Sequence, residues 1–182
     1  MESKPPIFLI TGAPGAGKTT VSTTLMQRFP FGLHIPVDDL RLWVVSGIAH
    51  PVPIWTDETT RQFKIARRAA AHTARLYAEA GFAVAIDDVL FPQAADEEFV
   101  KPLEGHTVHK VLLRPTLEVA LQRNAQRTNK TFDTSLLTDE VRNLHGYMSV
   151  PMYERWGWHV IDTSEMSLED TVEEILSRAG EQ

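Results

Sequence analysis

The run Gly12-Ala13-Pro14-Gly15-Ala16-Gly17-Lys18-Thr19 matches G-x-x-x-x-G-K-[ST] in full, a pattern suited to binding phosphate. Glycines at 12, 15 and 17 let the backbone turn so that successive N–H groups face phosphate oxygens. A helix starting near Lys18 adds the positive end of its dipole to that cradle. The Lys18 ammonium reaches β- and γ-phosphates, and the Thr19 hydroxyl is placed to ligate Mg²⁺. Ala13, Pro14, Ala16 and Thr20 complete the expected nucleotide-contacting loop. The chemistry implied is the handling of a nucleoside triphosphate.

Three further groups suit phosphoryl transfer. Phe82-Ala83-Val84-Ala85-Ile86-Asp87 reads as an apolar strand ending in an acid, which puts Asp87 at the metal and Asp88 toward an acceptor. The second group is Val37-Asp38-Asp39-Leu40-Arg41. Asp38 is the candidate base or anchor for an attacking hydroxyl, and Arg41, one helical turn on, a clamp for the acceptor or the γ-phosphate. Helix capping by Asp38 or Asp39 is the plainer reading, and whether Asp38 or Asp88 is the base stays open. The third group is cationic: Arg114, Arg123, Arg127 and Lys130 against one acid, Glu118. It suggests a lid over about residues 122–138, with Arg123 and Arg127 closing on the triphosphate to exclude water. Trp43 and Trp55 bracket the presumed acceptor segment with Pro51 and Pro53, as an aromatic wall or as packing between helices.

These groups need elements to carry them. Short apolar runs alternate with longer helical patterns, as in a three-layer α/β domain with a parallel sheet. Strands are predicted at 7–10, 33–37, 82–86, 108–113 and 159–162. Helices are predicted from Lys18 to Phe29, from Asp38 through Trp43, from Asp57 to Ala80, after the cap Thr116, from Asp139 to Glu154, and after the capping box Ser167–Asp170. The third of these helices places Phe63, Ala66, Ala70, Ala74 and Tyr77 inward, and Arg61, Lys64, Arg68 and Arg75 on the opposite side. The last helix carries Leu168, Val172, Ile175, Leu176 and Ala179 inward. In a parallel sheet, ligands bind at the carboxyl ends of the strands, so Asp38, Asp87 and the glycine loop share one rim.

The 182 residues suit one domain, spanning 1–182. The absence of Cys excludes thiolate chemistry and disulfides. A formal charge of −6 argues against a general duplex nucleic-acid binder. The apolar run before the loop is too short for a signal peptide or a membrane span, so the expectation is a soluble, cytoplasmic protein, monomeric or homodimeric. Asn129-Lys130-Thr131-Phe132 lacks the Asp of a guanine-reading motif, and no glycine has an Asp three places before it, which argues against a GTPase.

The phosphate loop, Val37-Asp38-Asp39, Ile86-Asp87-Asp88-Val89, Arg123/Arg127 and Asp162-Thr163-Ser164 follow one another in an order that resembles small P-loop kinases. The types in question are the shikimate, gluconate and adenylate kinases, and most of all the chloramphenicol phosphotransferase-like, AAA-type single-domain kinases. The resemblance implies a five-stranded parallel sheet in the order 2-3-1-4-5. It also implies Asp38 as base and adenine held between the lid arginines and the turn Asp162, Thr163, Ser164. The expected function is an ATP- and Mg²⁺-dependent phosphotransferase acting on a hydroxyl of a small molecule. The alternatives are a polynucleotide 5′-hydroxyl kinase tracking its substrate with the Arg61/Lys64/Arg68/Arg75 stripe, and a nucleotide-sensing module with slow hydrolysis.

Overall fold

The fold is that of a computed structural model, which describes residues 4–52, 54–126 and 137–180. Its five strands are β1 (Ile7–Thr11), β2 (Gly32–Pro36), β3 (Ala83–Asp87), β4 (Val108–Leu113) and β5 (His159–Ile161). They pair in parallel in the order β2-β3-β1-β4-β5, as the family resemblance implied.

Strand alternation divides the core into two layers. Ile7, Leu9, Val84 and Ile86 face one side, under Ala66, Ala70 and Ala74 of α3 (Asp57–Glu79). Phe8, Ile10, Ala83 and Ala85 face the other, under Val21 and Leu25 of α1 (Lys18–Met26) and Val172 and Ile175 of α8 (Leu168–Ala179). Truncating a fully buried side chain such as Leu25 costs about 2–5 kcal/mol. The remaining helices are α2 (Val37–Leu42), α4 (Pro92–Ala95, continued by a π-helical turn Asp96–Val100), α5 (Leu117–Ala125), α6 (Thr138–Tyr147) and α7 (Val150–Arg155).

Several local expectations are revised. α1 stops at Met26, because Pro30 disfavours helix in the residue before it. The helix read as continuous from Asp139 to Glu154 is two, α6 and α7, since Pro151 cannot donate the next helical hydrogen bond and is accommodated in a new first turn. Tyr77 and Leu168 are exposed, and Ala71 and Ala78 bury in α3 instead. The α4–π segment was not anticipated. The caps at Thr116 and Ser167 form as read, Ser167 with Asp170 as a full capping box. Among the described residues, no helix is long and apolar enough to cross a membrane.

Candidate active site

The loop between β1 and α1 is pressed against its neighbours. Gly15 has φ +85°, and a Cβ there would lie 2.2 Å from the carbonyl oxygen of Ala120 in α5. A Cβ on Gly12 would lie 2.6 Å from the oxygen of Leu113 at the end of β4. Only glycine fits either position, and that is what lets the loop lie flat enough to present its amides. Gly17 is the N-cap of α1 and has no side chain to compete for the first-turn amides. The Lys18 ammonium lies over the loop, donating to Gly12 O at 2.8 Å and Ala13 O at 3.4 Å. Thr19 and Thr20 are exposed on the same turn, while Ala13 and Ala16 anchor the loop from below.

The two acids at the end of β3 part company. Asp87, on the last strand position, shares the α1 face with Ala83 and Ala85, and so turns toward the phosphate-loop helix. Its Oδ2 lies 2.6 Å from His34 Nε2 on β2. Asp88 is buried and held from the α3 side. Arg67 Nε donates to Asp88 Oδ2 at 2.6 Å, Arg67 Nη1 to Glu98 Oε2 of the π turn at 3.2 Å, and Val89 N to Asp88 Oδ1 at 2.7 Å. The expectation that Asp88 points at an acceptor thus meets a carboxylate already engaged by an arginine.

Burial pushes the Asp88 carboxyl up to about 6, with Arg67 pulling the other way. The folded chain keeps this proton to about pH 6, whereas an ordinary aspartate loses it near 3.8. Between those values the folded state binds more protons than the unfolded one. The group's contribution is therefore fully present below about pH 4 and is lost as pH rises through about 6. Urea titrations should show the wild type losing stability relative to Asp88→Asn across that window. Arg67→Ala, which leaves the buried Asp88 without its counter-ion, should cost about 3–5 kcal/mol at pH 8. A loss under 1 kcal/mol at pH 8 (on the order of a surface pair) would remove the triad from the stability of the site.

Asp38 lies in the first turn of α2, whose N-cap is Pro36, so neither Asp38 nor Asp39 is the cap. The Asp38 side chain is 57% exposed and its Oδ1 lies 3.9 Å from Arg41 Nη1. Arg41, expected to clamp an acceptor, is instead buried. Its guanidinium stacks 3.7 Å from the centroid of Phe63, and Nη2 donates to Ala49 O at 2.6 Å. Residues 47–50 are stapled over it. Gln62 donates to Gly47 O at 2.8 Å and accepts from Ala49 N at 2.9 Å, and Thr59 Oγ1 donates to His50 O at 3.3 Å. Trp55 stacks on the Phe63 ring, centroids 5.0 Å apart, while Trp43 is 75% exposed at the end of α2. Phe63 is buried against Arg41 and Trp55, so the exposed aromatic rings of this region are Trp55 and Trp43.

On the other flank, Arg123 of α5 donates to Thr163 O at 2.9 Å and to Thr163 Oγ1 at 3.3 Å. Asp162 Oδ1 accepts from Ser164 N and Oγ, and Ser164 Oγ accepts from Thr116 N at 2.8 Å. Arg123 is thereby tied to the turn after β5. Arg127, Lys130 and most of the expected lid lie outside the described residues. Arg114 donates to Met148 O at 2.9 Å and to His145 O at 3.3 Å, anchoring the end of α6.

A family model described as "AAA domain" matches residues 7–145, which run from β1 into α6 and include the loop, Asp38, both acids of β3 and Arg123. The chain belongs to this AAA domain family. No curated protein matches its sequence. Solved structures similar to this AAA domain include the tunicamycin resistance protein of Deinococcus radiodurans, at 18% identity and TM-score 0.64, covering 98% of this chain and 97% of that one. A gluconokinase from Sinorhizobium meliloti follows, at 17% identity and TM-score 0.65, covering 98% and 94%. A shikimate kinase from Acinetobacter baumannii, in complex with shikimate, has 21% identity and TM-score 0.63, covering 97% and 93%. The fold is that of P-loop nucleotide-binding proteins.

In this AAA domain two groups escaped the sequence reading. Arg67 sits one turn after Phe63, inside the apolar stripe of α3 and apart from the basic stripe. A cation on a buried face implies an acid to meet it, and that was the available signal. His34 carried no local signal, since its partner depends on which strand pairs with β2 and in what register.

Proposed function

We propose that this chain is an ATP- and Mg²⁺-dependent phosphotransferase that moves the γ-phosphoryl group to a hydroxyl of a small molecule. The observation that carries this reading is the exposed Asp38 carboxylate at the end of β2, on the strand-end rim that also holds the phosphate loop and Asp87. The Thr19 hydroxyl and Asp87 carboxylate are hard oxygen donors of the kind Mg²⁺ prefers, so the residues present fit the ion. When bound, Mg²⁺ neutralises charge on the β- and γ-phosphate oxygens.

The chain's own part follows. Loop amides and Lys18 hold the phosphates, and Asp38 orients the acceptor hydroxyl and takes its proton. Arg41 keeps Asp38 aimed, acting through it from beneath residues 47–50. Trp55 offers the acceptor an apolar surface. Arg123 steadies the turn Asp162–Ser164, and Arg127, outside the described residues, is the cation assigned to the transferring phosphoryl group. The neighbours named as gluconokinase and shikimate kinase support a small acceptor. Within the basic stripe, Arg61 is neutralised by Glu58 and Arg75 donates to Pro102 O, which weakens it as a track for a nucleic-acid backbone.

The test is incubation with γ-labelled ATP and a mixed panel of metabolites, antibiotics and 5′-hydroxyl oligonucleotides. Label on a small alcohol is the expected result. Label only on oligonucleotide ends, falling steeply with salt, would replace the small acceptor by a polynucleotide. Label released only as inorganic phosphate would remove the transferase reading.

A further inference from the structure

β2 carries His34 two residues before Pro36, and the register pairs His34 with Ala85 and Pro36 with Asp87. Alternation therefore puts His34 and Asp87 on the same face of the sheet, the face that α1 covers. The imidazole fills the space between them. Its Nε2 lies 2.6 Å from Asp87 Oδ2, and its Nδ1 lies 3.1 Å from Thr23 Oγ1 in the second turn of α1. The Thr23 hydroxyl also lies 2.9 Å from the carbonyl of Thr19, and its single proton serves either that oxygen or His34 Nδ1. A continuous line of contacts joins the acid at the end of β3 to the helical turn that carries Thr19.

An ionised carboxylate only accepts, so with Asp87 ionised the proton on this edge of the ring belongs to Nε2. One oxygen of Asp87 is then occupied by His34, which leaves Oδ1 as the free donor. Asp87 is 6% exposed and His34 half-buried, so water competes little for this contact. Without the imidazole, rotation about the Asp87 side chain would no longer be fixed. Groups that hold a metal-binding side chain in this way typically matter 10- to 100-fold to metal affinity.

We infer that His34 is a positioning residue: it fixes the Asp87 carboxylate toward the ion held beside Thr19 and, through Thr23, ties that carboxylate to the phosphate-loop helix. This rests on the reading of Thr19 and Asp87 as the metal-holding pair. It adds to that reading a residue on the edge strand that acts through Asp87.

The test is calorimetric titration of ATP into the whole protein, with excess EDTA and at a series of Mg²⁺ concentrations. The proteins compared are wild type, His34→Leu, His34→Gln and Asp87→Asn. His34→Leu keeps the side-chain bulk without a donor, and should raise the Mg²⁺ concentration for half-maximal enhancement of ATP binding by about 10-fold or more. Its ATP affinity in EDTA should stay within about 2-fold of wild type, a result that loss of packing alone would not give. His34→Gln places an amide N–H near the Nε2 position and should restore the Mg²⁺ dependence to within about 3-fold. An unshifted Mg²⁺ dependence in folded His34→Leu overturns the inference, as do equal shifts in the leucine and glutamine variants. Should His34→Leu not fold, His34→Val takes its place as the variant without a donor: a shift of about 10-fold sustains the inference and an unshifted dependence overturns it. If Asp87→Asn loses the Mg²⁺ effect while His34→Leu keeps it, the inference alone fails. If wild-type affinity ignores Mg²⁺, the reading of Thr19 and Asp87 fails with it.

Discussion

Lys18→Ala is expected to cut phosphoryl transfer by about 10²–10³-fold, the usual loss when a preorganised group that stabilises transition-state charge is removed. The ammonium already lies over the loop, bonded to Gly12 O and Ala13 O. It therefore needs little reorganisation to meet a phosphate, and its cost has been met in folding. Initial rates with γ-labelled ATP measure the effect. A melting temperature taken beside the rates separates lost catalysis from lost folding. Preserved turnover would remove this loop from the chemistry, and with it the basis for placing the triphosphate.

Asp38→Asn is the second large effect. The substitution keeps the side-chain shape in the first turn of α2 and removes the charge. A base worth about 10²–10⁴ in rate should be lost, while ATP affinity stays within a few-fold. Asp38 is suited to the role because its carboxylate is exposed, whereas that of Asp88 is enclosed by Arg67. Steady-state kinetics with the acceptor found in the labelling panel, beside ATP titrations, separate the two quantities. Equal losses in turnover and in ATP binding would make Asp38 a structural residue.

The parts of the site legible in the sequence were those with local causes. The glycine spacing announces its loop because the needed backbone angles belong to glycine, and Gly15 indeed sits at φ +85°. The caps at Thr116 and Ser167 are short-range hydrogen bonds and were readable as such. Asp87 could be placed by counting along an apolar strand. What stayed hidden depended on distant partners. His34 meets Asp87 across 53 positions, and Arg67 meets Glu98 across 31, so neither pair exists until the strands are in register and α3 is docked. Arg41 looked available for a substrate because its burial depends on residues 47–50 folding back over it, and nothing in Val37–Arg41 announces that. Pro151 was a local signal that the helical spacing outweighed in the reading but not in the fold.

The order of the strands has a kinetic corollary. β3 stands between β2, which leads into the α2 turn that carries Asp38, and β1, which leads into the glycine loop. Donor and acceptor thus approach from separate flanks of one ridge, and neither must leave before the other arrives. On the proposed reading the enzyme works through a ternary complex, giving intersecting lines in double-reciprocal plots. A γ-phosphate made chiral by isotopes would leave with its configuration inverted.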